Sequence, residues 1–138
     1  MVRDDEAVAT VQGAYADFQR GDIASLLNRC DDGIEWETPG AGTAIPYAGK
    51  VHGKAGVAAF FQSLGATVDF HDFQTREYFS NGDTVVCLGA FDGTVRATGI
   101  RVKDDFAMAF RLRGGKIVAF KEYSDSRLLD AAFAPRKR

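Results

Sequence analysis

Few side chains in this sequence have both the type and the setting to do chemistry. In Lys116 to Asp125 (KIVAFKEYSD), Glu122 follows Val118 and Phe120 at alternate positions, so a strand would set its carboxylate on an apolar face. Desolvation there raises a carboxyl pKa toward the range useful for donating or abstracting a proton. The competing reading pairs Glu122 with Arg101 or Lys103, or leaves it in solvent at the sheet end. Asp104, Asp105 and Asp125 bracket the open end of the same segment, as a polar rim or as ordinary strand-end acids. His52 is either a structural hydrogen-bonding group or a proton carrier, and His71, among Asp69 and Asp72, reads as a surface histidine. Cys30 and Cys87 form no CxxC and have apolar flanks, which predicts reduced core thiols.

Other chemistries lack their motifs. There is no nucleophile elbow, zinc-helix motif or dinucleotide fingerprint, and GKVHGKAG lacks the GxxxxGK[ST] spacing of a phosphate loop. Neither a metal nor a cofactor is expected. A net charge of -2, with Arg136-Lys-Arg138 as the one basic cluster, supplies no field for nucleic acid, and that cluster reads as a solvated tail. MVRDDEAVAT lacks the apolar run of a secretory signal and no window has the apolar length of a membrane span, so a cytoplasmic protein is expected.

The elements that must position these groups follow from spacing. Val8, Val11, Tyr15 and Phe18 predict a helix from Asp5 to Arg20, stopped by Gly21. Asp22 caps a second helix with Ile23, Leu26, Leu27 and Cys30 on its inward face. Asp31 to Gly33 is a turn, Ile34 to Thr38 a short strand ended by Pro39, and Gly40 to Gly53 a Gly- and Pro-rich loop, a lid or cavity rim carrying Tyr47 and His52. Helix three runs from Lys54 to Gly65 with Val57, Phe60, Phe61 and Leu64 on one stripe. Strands follow at Val68 to Phe79, Thr84 to Asp92, Ile100 to Arg113 and Lys116 to Asp125, the last two joined by a two-residue turn at Gly114-Gly115. Ser126 to Phe133 is a short helix or a loose tail.

Helices followed by antiparallel strands predict an α+β fold whose helices cover one face of a curved sheet, leaving the other for a second subunit. A single domain over 1–138 is expected, with its core at about 6–126 and a tail at 127–138. The 11 Phe exceed what such a core strictly needs, so some are available to line a cavity. Trp36, Phe106, Met108, Tyr123 and Tyr15 form the aromatic set for pocket or core. Each buried Phe or Met contributes roughly 1.5 to 3 kcal/mol, so core duty alone explains them. Glu35 and Glu37 flank Trp36 and should point outward.

The helix ending YADFQRGD, the DDGIEWETPG strand, PYAGKVHGKAGVAAFF leading into helix three and the closing FRLRGGKIVAFKEYSDS occur in an order and spacing that resemble the SnoaL-like members of the nuclear transport factor 2-like superfamily, from about Glu6 to Ser126. The resemblance implies a cone-shaped α+β barrel, a curved antiparallel sheet wrapped around N-terminal helices, a pocket at the wide end for a small hydrophobic organic ligand, and a homodimer formed through the sheet. Its candidate ligand contacts are Tyr15, Trp36, Thr38, Tyr47 and His52, together with Phe60, Phe91, Asp104, Phe106 and Met108, and Glu122 is the candidate catalytic residue. The base of ketosteroid isomerases would fall at Thr38, their tyrosine donor at Ala14, next to Tyr15, and their protonated aspartate near Met108, so that chemistry is not expected. The last-strand Asp of limonene epoxide hydrolase matches Glu122, but its Arg-x-Asp pair has no counterpart in CLGAFDG, although Asp92 lies near. The His and Asp of the polyketide cyclases fall at Met108 and Glu122. A regular two-residue hairpin would put 108 and 122 on opposite faces, so either the strand is bulged or one of them lies outside the pocket. Two functions remain in view: a cofactor-independent isomerase, hydratase or cyclase using Glu122, or a binding protein without activity.

Overall fold

Residues 4–134 are described in a computed structural model. The basic cluster at 136–138 lies outside them. Helix α1 (Asp4–Gln19) buries Ala7, Val11, Ala14 and Tyr15, and Gly21 ends it with a positive φ of 74°. Asp22 caps α2 (Ile23–Asn28), accepting the Ser25 N–H at 3.1 Å. Cys30, expected on that helix, opens strand β1 (Cys30–Thr38) instead. The turn signal at Asp31 to Gly33 survives inside the strand: Gly33 N–H bonds the Asp31 carboxylate at 2.9 Å, and the pairing shifts register between Cys30 and Glu35.

The Gly-rich stretch is not all loop. Its last residues form β2 (Gly49–His52), paired antiparallel with β1, and α3 (Gly53–Thr67) starts directly after it. Strands β3 (Val68–Asn81), β4 (Thr84–Val95), β5 (Arg101–Arg113) and β6 (Lys116–Tyr123) complete one sheet in the order β2-β1-β6-β5-β4-β3. β1 and β6 run parallel, so the sheet is antiparallel everywhere except at that joint. The β5–β6 turn has Gly114 and Gly115 both at positive φ, 59° and 78°, as a type I′ turn requires. A last helix, α4 (Arg127–Phe133), gives the segment beyond the expected core a packed place against β5.

Bulges curve the sheet. β3 shifts register against β4 at Phe70/Asp72 and at Thr75/Glu77, so Phe70, Phe73 and Tyr78 all turn inward although strict alternation would separate them. β6 shifts once, with Leu112 opposite Ile117 but Arg111 opposite Ala119, leaving Val118 as the extra residue. The concave face thus formed packs on α1 and α3. The convex face carries the rows Phe79–Val86–Ala109 and Leu88–Ala107–Tyr123. Tyr123, grouped above with the pocket aromatics, is 53% exposed on this outer side.

Gly89 is where the sheet is tightest. A Cβ there would run into the Gln74 carbonyl oxygen and the ring of Phe106 on the neighbouring strand. Gly89→Ala is therefore expected to destabilise the fold by roughly 1 to 3 kcal/mol through overpacking, read as a lowered urea midpoint with an unchanged slope.

Candidate functional site

Between the concave face and the helices lies an apolar cavity of about 70 Å³. Its helical wall is Ala14, Tyr15, Phe18 and Leu26 with Phe60, Phe61 and Leu64 of α3. Its sheet wall is Trp36, Phe70, Phe73, Met108, Phe110 and Phe120. The rings brace one another: Trp36 stacks on Phe120 at 3.9 Å, Phe18 meets Phe73 at 5.1 Å, and Tyr15 meets Phe110 edge-on at 5.7 Å. A cavity with such walls repels water and suits an apolar guest.

Of the residues expected to touch a ligand, Tyr15, Trp36, Phe60 and Met108 line this cavity. Phe106 forms a second layer, stacked on Phe73 at 5.1 Å. Tyr47 meets Phe60 on one side and Phe133 of α4 on the other, at 5.7 and 5.8 Å, and its carbonyl accepts the hydroxyl of buried Thr38 at 3.3 Å. Phe91 packs beside Phe133 in a smaller cluster with Val95, Val102 and Ala132. These groups close the end under α4, which is tied down by Asp130 accepting the Ala44 N–H at 2.9 Å and by the Thr98 hydroxyl on the Ala132 carbonyl at 2.6 Å. His52 is placed elsewhere. At the end of β2 its ring is exposed and bonds Glu35 at 3.0 Å on the outer face, which fits a structural hydrogen bond and no contact with the cavity. His71 is likewise outside, bonded to the Thr94 hydroxyl at 2.7 Å.

The bulge at Val118 decides the position of Glu122. It sets Met108 directly opposite Glu122, so the two side chains share the concave face. Thr38 stands on the other flank, one residue beyond the parallel pair Glu37 and Lys121. Arg101 and Lys103, the candidate partners, both turn to Asp92, at 2.6 and 4.0 Å. Glu122 accepts only the Ser124 hydroxyl, at 2.9 Å, among the described residues. The residue keeps some exposed surface while its carboxyl group is withdrawn from water. Burial pushes its pKa up, the Ser124 hydrogen bond opposes the shift, and nearby Asp104 adds to it. Asp104 is itself raised, by burial first and then by Asp125 and Asp105 against a hydrogen bond from the Asp105 N–H. The Glu122 charge reaches both Tyr15 and Tyr47, whose phenols are raised chiefly by burial. Tyr15 donates to Met108 Sδ at 3.0 Å, so the cavity wall and the acid meet at Met108. Cys30 is free and its thiol is pushed up to about 11 by burial, which leaves it protonated and inert.

Sequence reasoning missed Phe18, Phe70, Phe73, Phe110 and Phe120 as cavity residues. Phe18 was legible on the first helix stripe, but strict alternation puts Phe70 and Phe73 on opposite faces, and only the bulge between Phe70 and Asp72 brings them together. Among the described residues no group of His, Cys, Asp and Glu is arranged to hold a metal ion.

An apolar cavity enclosed by helices and a bent six-stranded sheet, with a carboxyl group at its edge, defines an α+β cone of the nuclear transport factor 2-like type. The sequence profile of the SnoaL-like domain matches residues 11–120, and the chain belongs to that family. A nuclear transport factor 2-like protein from Burkholderia xenovorans is 30% identical, with a TM-score of 0.89 over 97% of this chain and 100% of its own. One from Burkholderia thailandensis is 29% identical, with a TM-score of 0.85 over 97% and 100%. TerC, crystallised with polyporic acid, shares the fold at 22% identity, with a TM-score of 0.83 over 93% and 98%. No curated protein is significantly similar to the chain. Among the described residues no helix is long and apolar enough to cross a membrane.

Proposed function

We propose that the protein binds a small apolar organic molecule in the aromatic cavity and that Glu122 acts on it as a general acid or base without metal or cofactor, in an isomerisation, hydration or cyclisation. The observation that carries this reading is the junction at Met108, where one residue both lines the cavity and lies opposite a desolvated carboxyl group. TerC, which shares the fold, was crystallised with polyporic acid, which agrees with a small organic guest. Among the described residues no His or Arg lines the cavity, which favours the second reading, a binding protein with no turnover.

Trp36 is the single tryptophan and lines the cavity, so its emission reports occupancy directly. Benzene is expected to give a saturable change in that emission. Ala14→Leu, whose longer side chain projects into the cavity, is expected to weaken binding at least about tenfold, or about 1.4 kcal/mol. A variant that binds benzene as the parent does would place the guest elsewhere. The apolar rows of the convex face fit a second copy of the chain, in a cytoplasmic homodimer, and light scattering is expected to give twice 15.0 kDa. A mass of 15.0 kDa at micromolar concentration would remove the dimer.

A further inference from the structure

We infer that the cavity selects an organic cation, a hydrophobic amine whose apolar part sits among the rings and whose ammonium group meets Glu122. The inference rests on reading the cavity as a ligand site and names the chemistry of its guest. Elsewhere the chain matches its withdrawn acids with its own cations. Buried Asp17 holds Arg20 and Arg29, each at 2.7 Å, and Asp92 holds Arg101 at 2.6 Å. On the concave face beyond Met108 that habit stops. Among the described residues neither Glu122 nor Asp104 forms an ion pair. Their neighbour Asp125 is committed to Arg127 at 2.8 Å, and Asp105 to Arg76 at 3.7 Å. Two carboxyl groups that repel each other are thus left on the concave face, separated by Met108 from an apolar cavity that no Lys, Arg or His lines among the described residues.

A neutral carbonyl guest could take one hydrogen bond there and would leave that repulsion standing. An ammonium group relieves it, and a charge-assisted hydrogen bond to a carboxylate is about twice as strong as a neutral one. The walls suit the same guest. The faces of Tyr15, Trp36 and the phenylalanines attract a cation held within about 6 Å of a ring centre. Met108, unbranched and flexible, is the side chain that must move aside to join cavity and carboxyl.

The test compares benzylamine with benzyl alcohol, which has nearly the same shape and no charge, by calorimetric titration of the full chain at neutral pH. Benzylamine is expected to bind at least about tenfold more tightly, and Glu122→Gln is expected to erase the preference. Asp104→Asn, at a less buried carboxyl, is expected to reduce the preference without removing it, which provides a second variant should the first fold poorly. Equal binding of the two probes to the wild-type protein, or a preference that survives Glu122→Gln, would overturn the inference and leave the cavity a site for neutral guests. If neither probe binds, and benzene also fails, the ligand site itself is wrong and the inference falls with it.

Discussion

Arg29→Met is expected to cost about 3 kcal/mol of folding stability, more than Asp17→Asn. The asymmetry comes from burial. The Asp17 side chain is fully buried in α1, whereas those of its partners Arg29 and Arg20 are 39% and 59% exposed. Removing Asp17 leaves guanidinium groups that water can solvate. Removing Arg29 strands a buried carboxylate on one remaining, largely exposed partner, Arg20. Met preserves much of the side-chain stem and removes only the guanidinium end, which packs over Gly13. The double variant Asp17→Leu/Arg29→Met, with no buried charge left, should recover part of the loss. Urea denaturation of the three variants measures this, and Asp17→Asn proving the costlier single change would contradict it.

Glu122→Gln is expected to lower turnover of any substrate the protein converts by about 10²- to 10⁴-fold, the usual contribution of a positioned general acid or base. The same variant should be the more stable protein at neutral pH. A carboxyl whose pKa is raised on folding stabilises the native state below the unfolded value of 4.5, and that contribution is lost as pH rises through the folded value. Wild-type stability relative to Glu122→Gln should therefore fall as pH rises above about 4.5 and then level off. The drop is about 1.4 kcal/mol for each unit by which the pKa is raised. Taking the difference between the two proteins cancels the acids shifted in the opposite direction, Asp92 and Asp125, whose arginine partners lower them. A difference that grows with pH, or turnover untouched by the substitution, would remove Glu122 from the site. Gain of stability with loss of turnover would mark a group retained for function.

Much of the fold was legible because helical and strand periodicities were strong. The Asp22 cap, the Gly114-Gly115 turn and the stripe Val57, Phe60, Leu64 all appear in the expected elements. What spacing could not show were the irregularities that make the cavity. One extra residue at Val118 brings Met108 and Glu122 to one face, and nothing about Val118 itself marks a bulge. The extra residues in β3 hid Phe73 from its group in the same way. β2 was missed because a four-residue strand inside a Gly-rich stretch carries no periodicity of its own. The parallel joint of β1 and β6 is set by tertiary closure and has no local signal. Asp17 carries no signal in the sequence, since its partner Arg29 lies twelve residues away.

The cavity itself is open to direct inspection in crystals equilibrated with benzene. The ring should be found inside the cone, in van der Waals contact with Trp36, Phe73 and Met108 and short of the Glu122 carboxyl group. Benzene seen only at the surface, with the phenylalanine side chains closed over the space between α1, α3 and the sheet, would mean that the interior is an ordinary core and holds no guest.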